Sequence, residues 1–426
     1  KVLNNMLDQE FISQSEYDEA VADNVYDRIQ LVNVELQDNG INSYFIDELT
    51  DQVIRDLVEQ KGYTETQAYK TLYQSGLTIY STQDMDIQNI ADEEVNNQDN
   101  YTSSPKVSFS YRVSIRSTDG SVKNYSEQTM LSYYKNKDNP NFKSTNYSIN
   151  FASEEDADAA IEQYKADIMQ EGDEIVDGSE TVIYTLQPQA SQSTGEVKAI
   201  VGGRGDKTAS KTLNRATDTT RQPGSTFKIL AAYSAALDAG GLTLASVQDD
   251  APYTYAGANG KSVNNYDRRY RGFTTLREAI TDSINIVTVK TLAQAGVSLG
   301  WQYVQEYGFT TVDSRDMNEA LALGGITQGV SNLELTAAYA AIANQGTYIR
   351  PKFYTKILDH DGNVLIDNTT PESHTVIKDT TAWLLTSAME DVVSKGTGTS
   401  AQISNYGIAE AGKTGTTDDY KDLWFV

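Results

Sequence analysis

Apolar residues recur at three- and four-residue intervals from Val2 to about Gly76, first as Leu3, Met6, Leu7 and Phe11, then through Ser15 to Val21 and Tyr44 to Val58. This spacing predicts a helical lead-in. Between about Leu77 and Gly178 the texture changes to alternating runs such as Val107 to Ile115, a loop rich in Lys, Asn and Ser, and a helical stretch from about Glu154 to Gln170, the pattern of a small mixed α/β module. Glu180 to Gln189 and Gly195 to Gly202 are rich in strand formers and flank a Ser-Gln-Ser-Thr-Gly turn, which predicts a hairpin opening the main domain. Past Ser225, hydrophobic residues cover every face of a stretch running to about Ala239 and stopped by Gly240-Gly241, so a helix buried in the core is expected there. Ser331-Asn332-Leu333-Glu334 has the form of a capping box for a helix to about Ala343, and Asp361-Gly362 marks a hairpin between Tyr354 to Leu358 and Val364 to Ile366. The expected units are residues 1–76 (helical), 77–178 (mixed α/β) and 179–426 (main domain).

A length of 426 residues favours two or three units over one core. The balance of 60 acidic to 34 basic side chains, net charge −26, repels phosphate backbones and anionic lipid. Nucleic acid is therefore excluded as a partner. The absence of cysteine removes thiol nucleophiles, Cys-ligated zinc and disulfides together. No stretch approaches the roughly 18 consecutive apolar residues of a membrane span. The sequence starts at Lys1 and stops at Trp424-Phe425-Val426 within an expected strand, so it reads as a piece of a longer protein.

Three short motifs occur in order: Ser225-Thr226-Phe227-Lys228, Ser283-Ile284-Asn285 and Lys413-Thr414-Gly415. Ser-x-x-Lys also occurs at Ser103/Lys106 and Ser132/Lys135 in polar surroundings, and an isolated match is more often a cap serine beside a solvent-reaching lysine. Only Ser225 follows Pro223-Gly224 and opens an apolar helix, with Lys228 one turn on and on the same face. Unpaired N–H groups of a first helical turn can hold a developing oxyanion, and an apolar wall lowers a lysine pKa toward that of a useful base. Ser144, Ser148 and Ser262 also begin Ser-x-Asn triplets, but Ser283 and Asn285 lie between two short helical runs, where both side chains can face one cleft. The hydroxyl could relay a proton and the amide could hold a substrate carbonyl. Gly412 and Gly415 bracket Lys413-Thr414 in an extended run, suited to close approach of a substrate backbone. Lys413, Thr414 and Thr416 could meet its carboxylate. His360 and His374 give neither a Ser-His-Asp arrangement nor zinc-ligand spacing. No metal or other cofactor is expected.

Arg221 to Lys228 and Ala411 to Thr417 resemble, almost letter for letter, the nucleophile segment and Lys-Thr-Gly strand of the class A penicillin-binding proteins, the bifunctional peptidoglycan synthases. Similar too are Gly195 to Gly203, Ala322 to Gly325, Gly329 to Leu335, Asp419 to Asp422 and Trp424-Phe425, while Val2 to Tyr17 resembles the tail of the preceding glycosyltransferase domain. The resemblance implies an α+β fold of the serine β-lactamase/transpeptidase kind, an antiparallel sheet flanked by helices on both faces, whose strands continue past Val426. It also implies attack by Ser225 on a D-Ala-D-Ala stem peptide, with Lys228 as base, Ser283 passing the proton onward near Lys413, and Asn285 holding the donor amide. Thr414, Gly415, Thr416 and Thr417 would bind substrate, and the backbone N–H groups of Ser225 and Thr416 would form the oxyanion hole. The implied partners are stem peptides, an acceptor amine, β-lactams and cell-wall synthesis or division proteins, at the extracellular face of a membrane reached through an N-terminal anchor. A β-lactamase, a D,D-carboxypeptidase and a non-catalytic β-lactam sensor remain open on the same motifs.

Overall fold

Helix starts in this chain are written in its side chains. Thr64, Ser126, Thr275 and Ser331 each close a reciprocal capping box, so the helices Glu65–Gln74, Glu127–Lys135, Leu276–Thr281 and Asn332–Ala343 begin where their first N–H groups find a hydroxyl. A computed structural model of the chain describes residues 6–7, 9, 11–22, 41–97, 100, 108–145, 147, 149, 151, 154–170, 172–183, 189–190, 194–205, 207, 209–256, 261–370, 372–403, 407–417 and 421–426. Two units are present, Lys1–Asn42 and Ser43–Val426. In the first, the helix Gln14–Ala22 starts at Ser13, whose N–H and hydroxyl donate to Glu16 Oε2 at 2.8 and 2.9 Å. Much of the remaining expected lead-in before Ile41, including 2–5 and 23–40, lies outside the described residues.

Among the described residues, the second unit has three cores. Helix Tyr44–Lys61 buries Phe45, Leu49, Val53 and Leu57 with Val197, Phe353, Tyr354 and Ile357. Phe45 meets Phe353 edge-on at 5.1 Å, and Gln52 Oε1 accepts from the Phe353 N–H at 2.8 Å. Strand Thr78–Ser81 then pairs antiparallel with Tyr354–Leu358, which pairs with Val364–Asp367 across the expected Asp361-Gly362 hairpin. The segment 43–81 is thus built into the same core as strands near residue 355.

A second core belongs to the mixed module. Strand Ser108–Arg116 lies between Val122–Ser126 and Glu174–Ile183, and the helices Glu127–Lys135 and Glu154–Ile168 close over it with Val113, Ile115, Met130, Tyr134, Ile161 and Tyr164. The hairpin expected between Glu180–Gln189 and Gly195–Gly202 is different here. Glu180–Ile183 stays in register with Ser108–Tyr111, extending a long ladder, and the hairpin that forms pairs Gln189–Ala190 with Val197–Ala199. A strand already zipped along a neighbour continues while pairing lasts, and local alternation could not reveal that neighbour.

The third core surrounds Phe227–Tyr233, packed by Ile280, Ile284, Val287, Leu292, Tyr307, Ala338 and Leu385. The named strands pair antiparallel in short ladders, among them Thr347–Ile349 with Ser373–Thr375 and Thr414–Thr416 with Leu423–Phe425, with helices packed around them. The α+β expectation is borne out.

Phe45→Ala removes a fully buried ring from the first of these cores and is expected to cost about 3–5 kcal/mol in denaturant unfolding.

Candidate active site

Pro223 leads into one 3-10 turn, Gly224–Thr226, then a π-helical segment, Lys228–Tyr233, and a short α-helix, Ser234–Asp238. The single α-helix expected here is therefore corrected. π winding carries N–H bonds five residues back, and Ser234 supplies both its N–H and its hydroxyl (2.9 Å) to the Ile229 carbonyl. The neighbouring helix comes very close, since a Cβ on Gly300 would stand 2.6 Å from the Ala231 carbonyl oxygen. Nothing in an Ala-rich apolar run distinguishes π from α winding.

Lys228 is fully buried. Its Nζ donates to the Ser283 carbonyl and to Asn285 Oδ1, both at 2.6 Å, and lies 3.1 Å from Ser283 Oγ. Lys413, equally buried, brings its Nζ to the same Ser283 Oγ at 2.9 Å and to the Thr414 carbonyl at 3.0 Å. Burial, then the nearby charge of Lys413, holds the Lys228 amine well below the ordinary lysine range. Burial brings Lys413 down to about 7. A neutral amine has two hydrogens and one lone pair. At Lys228 the two carbonyl oxygens match the hydrogens, leaving the lone pair for a hydroxyl.

Ser283 sits between the helices Leu276–Thr281 and Asn285–Ala295 in the left-handed region, φ 54°. That conformation costs a non-glycine residue about 1–2 kcal/mol. It is the corner at which the carbonyl and hydroxyl of one residue both meet Lys228. Asn285 is half-buried and its Nδ2 donates to the Asn264 carbonyl at 2.7 Å. The second Nδ2 hydrogen stays available to a substrate carbonyl.

Ser225 is part-exposed on the 3-10 turn, which lies against the Thr414–Thr416 strand. A Cβ on Gly224 (φ 54°) would stand 2.8 Å from the Thr416 carbonyl oxygen, and one on Gly415 would stand 2.6 Å from that of Pro223. Both glycines are needed for this approach, which sets the backbones around Ser225 and Thr416 side by side. Thr416 is exposed, and Thr414 Oγ1 lies 2.8 Å from Thr397 Oγ1. Two site expectations take a different form. Thr417 spends its hydroxyl on Asp422 at 3.1 Å rather than offering it freely to substrate, and the Lys413 amine turns inward to Ser283 rather than out toward a carboxylate.

Sequence reasoning missed a supporting set. Asn265 is buried; its Oδ1 accepts the N–H groups of Asn285 and Ile286 at 3.0 and 3.2 Å, and its Nδ2 donates to buried Asp250 at 2.8 Å. It caps the first turn of the Asn285–Ala295 helix, for which Ile284 has no capping side chain. Ser262-Val263-Asn264, one of the other Ser-x-Asn triplets, supplies the carbonyl that orients Asn285. Arg221 pairs with Asp422 at 2.6 Å, and Trp424 Nε1 donates to the Gln222 carbonyl at 3.0 Å, tying the last strand to the segment that leads into the Gly224–Thr226 turn. Gly324 both turns the chain, as the left-handed C-cap (φ 76°) of the Glu319–Leu323 turn, and packs tightly, since a Cβ there would come within 2.7 Å of the Gly224 nitrogen. The glycine pair was the signal for the close packing at Gly224, and Arg221, Asp422 and Trp424 stood in segments that the family resemblance had set apart; nothing in the sequence pointed to Asn265.

The penicillin binding protein transpeptidase domain family matches residues 190–425. Penicillin-binding protein 1A of Clostridium tetani is 29% identical over 446 residues, covering 100% of this chain and 47% of the relative. Penicillin-binding protein 1F of Bacillus subtilis is 38% identical over 281 residues, covering 63% of this chain and 37% of the relative. This chain thus spans less than half the length of these curated relatives. Among solved structures, penicillin-binding protein 1A from Haemophilus influenzae aligns with a TM-score of 0.59 at 21% identity, over 100% of this chain and 68% of that one. PonA1 from Mycobacterium tuberculosis, in complex with penicillin V, aligns with a TM-score of 0.58 at 19% identity, over 89% and 80%. These likenesses agree on the transpeptidase fold. With its family match over more than half the sequence, the chain belongs to the penicillin-binding protein transpeptidase family.

Proposed function

We propose that this chain is the cross-linking part of a peptidoglycan synthase, a serine D,D-transpeptidase working at the extracellular face of the membrane and acylated by β-lactams. The observation that carries the reading is the meeting of two fully buried lysine amines on Ser283, one of them Lys228, three residues after the part-exposed Ser225. Residues before Ser43 and the mixed module from Ser108 to Ile183 would be the lead-in and linker module of a larger, membrane-anchored protein, while 43–81 is built into the core shared with the strands near residue 355.

In the reaction, the stem peptide lies along the Thr414–Thr416 strand with the carbonyl of its penultimate D-Ala over Ser225. The N–H groups of Ser225 and Thr416 receive the developing oxyanion. Lys228 takes the Ser225 proton as Oγ bonds to the carbonyl carbon. The C–N bond to the terminal D-Ala then breaks, and that amine leaves with a proton delivered through Ser283 from the lysine pair. An acceptor amine attacks the Ser225 ester and gives one proton to Lys228; the ester C–O bond breaks, Lys228 passes that proton to the departing Ser225 Oγ, and the new amide leaves with the serine and the neutral lysine restored. Asn285 holds the donor amide with its second Nδ2 hydrogen while its Oδ1 keeps Lys228 in place.

Fluorescent penicillin is expected to label the protein and to leave Ser225→Ala unlabelled. An adduct lasting many minutes, with transfer product from a donor peptide and an amine, supports the synthase; equal labelling of the variant sinks the site, and penicillin turnover in seconds favours the lactamase.

Acylation needs Lys228 without its proton, so its rate rises with pH. Below pH about 7 the Lys413 cation disfavours a proton on Lys228. Lys413→Met is expected to slow acylation and move the acid limb of its pH profile upward. Stability carries a second sign. Lys413 titrates at about 7 folded against 10.5 free, so between these values the unfolded chain holds the extra proton and wild-type stability rises with pH. Any stability advantage of Lys413→Met at pH about 6.5 is expected to shrink by pH about 9 in urea titrations.

Asn265→Ala is expected to lower the acylation rate about tenfold, the effect of losing about 1.4 kcal/mol of positioning. With Asn285 released, its carbonyl no longer favours the Lys228 ammonium, so the acid limb moves to lower pH. Adding Asn285→Ala should produce little further change; fully additive losses would count against this role.

A further inference from the structure

The mixed module carries a concave surface of about 640 Å³ that plays no part in the chemistry above. Its floor is aromatic. Half-buried Tyr125 and Tyr133 line it and rest on Tyr164, which is 1% exposed and stands edge-on beneath both at ring separations of 6.4 and 5.5 Å. These rings are held in place. The Tyr164 hydroxyl donates to Thr129 Oγ1 at 3.1 Å, and the Tyr133 hydroxyl donates to the Asp167 carbonyl at 3.2 Å while accepting from Asn141 Nδ2 at 2.8 Å. The surface therefore needs little ordering on binding.

Its rim is made of amides and hydroxyls. Gln128, Ser132 and Asn136 follow one another at four-residue steps along one face of the Glu127–Lys135 helix and its C-cap, spanning about 12 Å. The Gln128 amide has no hydrogen-bond partner among the described residues. Exposed Asn124 and Asn136 each use their side-chain carbonyl, accepting from Ser114 Oγ and from the Asp138 N–H, and their Nδ2 groups have no hydrogen-bond partner among the described residues. Lys123 is the one charged residue of the lining, and no carboxylate lines the surface although the chain carries 60 of them.

Fixed aromatic rings beside paired donors and acceptors, without anionic groups, suit a ligand with flat C–H faces and many hydroxyl and acetamido groups. A nucleic acid is refused by the net charge of −26. An apolar peptide would leave the amide rim unmatched. We propose that this surface is a carbohydrate subsite that grips the N-acetylhexosamine backbone of the glycan strand whose peptides the catalytic domain joins. The identity of that polymer rests on the transpeptidase reading; the sugar-binding chemistry does not.

The test uses the whole chain and peptide-free β-1,4-linked N-acetylglucosamine chains, in co-sedimentation with the insoluble polymer and in NMR titration with the tetramer. Gln128→Ala combined with Asn136→Ala alters two exposed side chains and leaves the core intact. Tyr125→Leu removes one ring of the floor. Wild-type chain is expected to sediment with the polymer and to show saturable shifts, and either variant to bind at least fivefold more weakly, with fluorescent-penicillin labelling unchanged in all three. Binding equal in wild type and both variants, or no wild-type binding at all, overturns the subsite. Loss of penicillin labelling in the wild type would instead overturn the transpeptidase reading, since the polymer assay does not depend on it.

Discussion

Two amines cannot both keep a positive charge a few ångströms apart in a dry interior, and this site places two of them on one serine hydroxyl. The repulsion, added to the loss of hydration, makes a neutral lysine available where an exposed one would be an ammonium. Three remote segments are needed to hold this arrangement: the π-helical turn carrying Lys228, the left-handed corner at Ser283 and the strand carrying Lys413. None could keep such a geometry alone. The apolar core around Phe227–Tyr233 and Ile284–Leu292 supplies both the low polarity and the stiffness.

The overall charge acts in the opposite direction. A chain at −26 surrounds its lysines with a field that favours protonation, yet Lys413 falls from 10.5 to about 7. Local desolvation outweighs the distant field because surface charges are screened within about 8–10 Å of salt solution, whereas the buried amine has no water to turn toward it. Acidity elsewhere can therefore vary without disturbing the chemistry, provided the wall around Lys228 and Lys413 remains closed.

What was legible in the sequence was whatever depends on nearest neighbours. Ser331 to Glu334 and Asp361-Gly362 formed the cap and hairpin their letters suggest, and Lys228, Ser283, Asn285 and Lys413 converge as the motif order implied. The rest depended on partners far along the chain. Glu180–Ile183 took Ser108–Tyr111 as its neighbour, Thr417 was claimed by Asp422, and Asn265 became the missing cap of a helix that starts twenty residues later. The π winding after Ser225 lies where a helix from another part of the chain comes close through Gly300. Periodicity measures one segment at a time and is blind to each of these.

Cross-linking joins two groups that are themselves attached to polymers, so a peptide's local concentration depends on where its strand is held. A grip on the sugar backbone by the Tyr125–Tyr133–Tyr164 surface would convert capture of the stem peptide into a tethered event, which raises effective concentration without tightening the catalytic contacts. That separation has a kinetic advantage. Tight ground-state binding at Ser225 would deepen the well from which the acyl transfer must climb, whereas binding at a remote subsite leaves the reacting carbonyl free to be held most strongly as its oxygen becomes an anion. A module with its own core, closed by Met130, Tyr134 and Ile161, can carry that task without adding strain to the lysine pair.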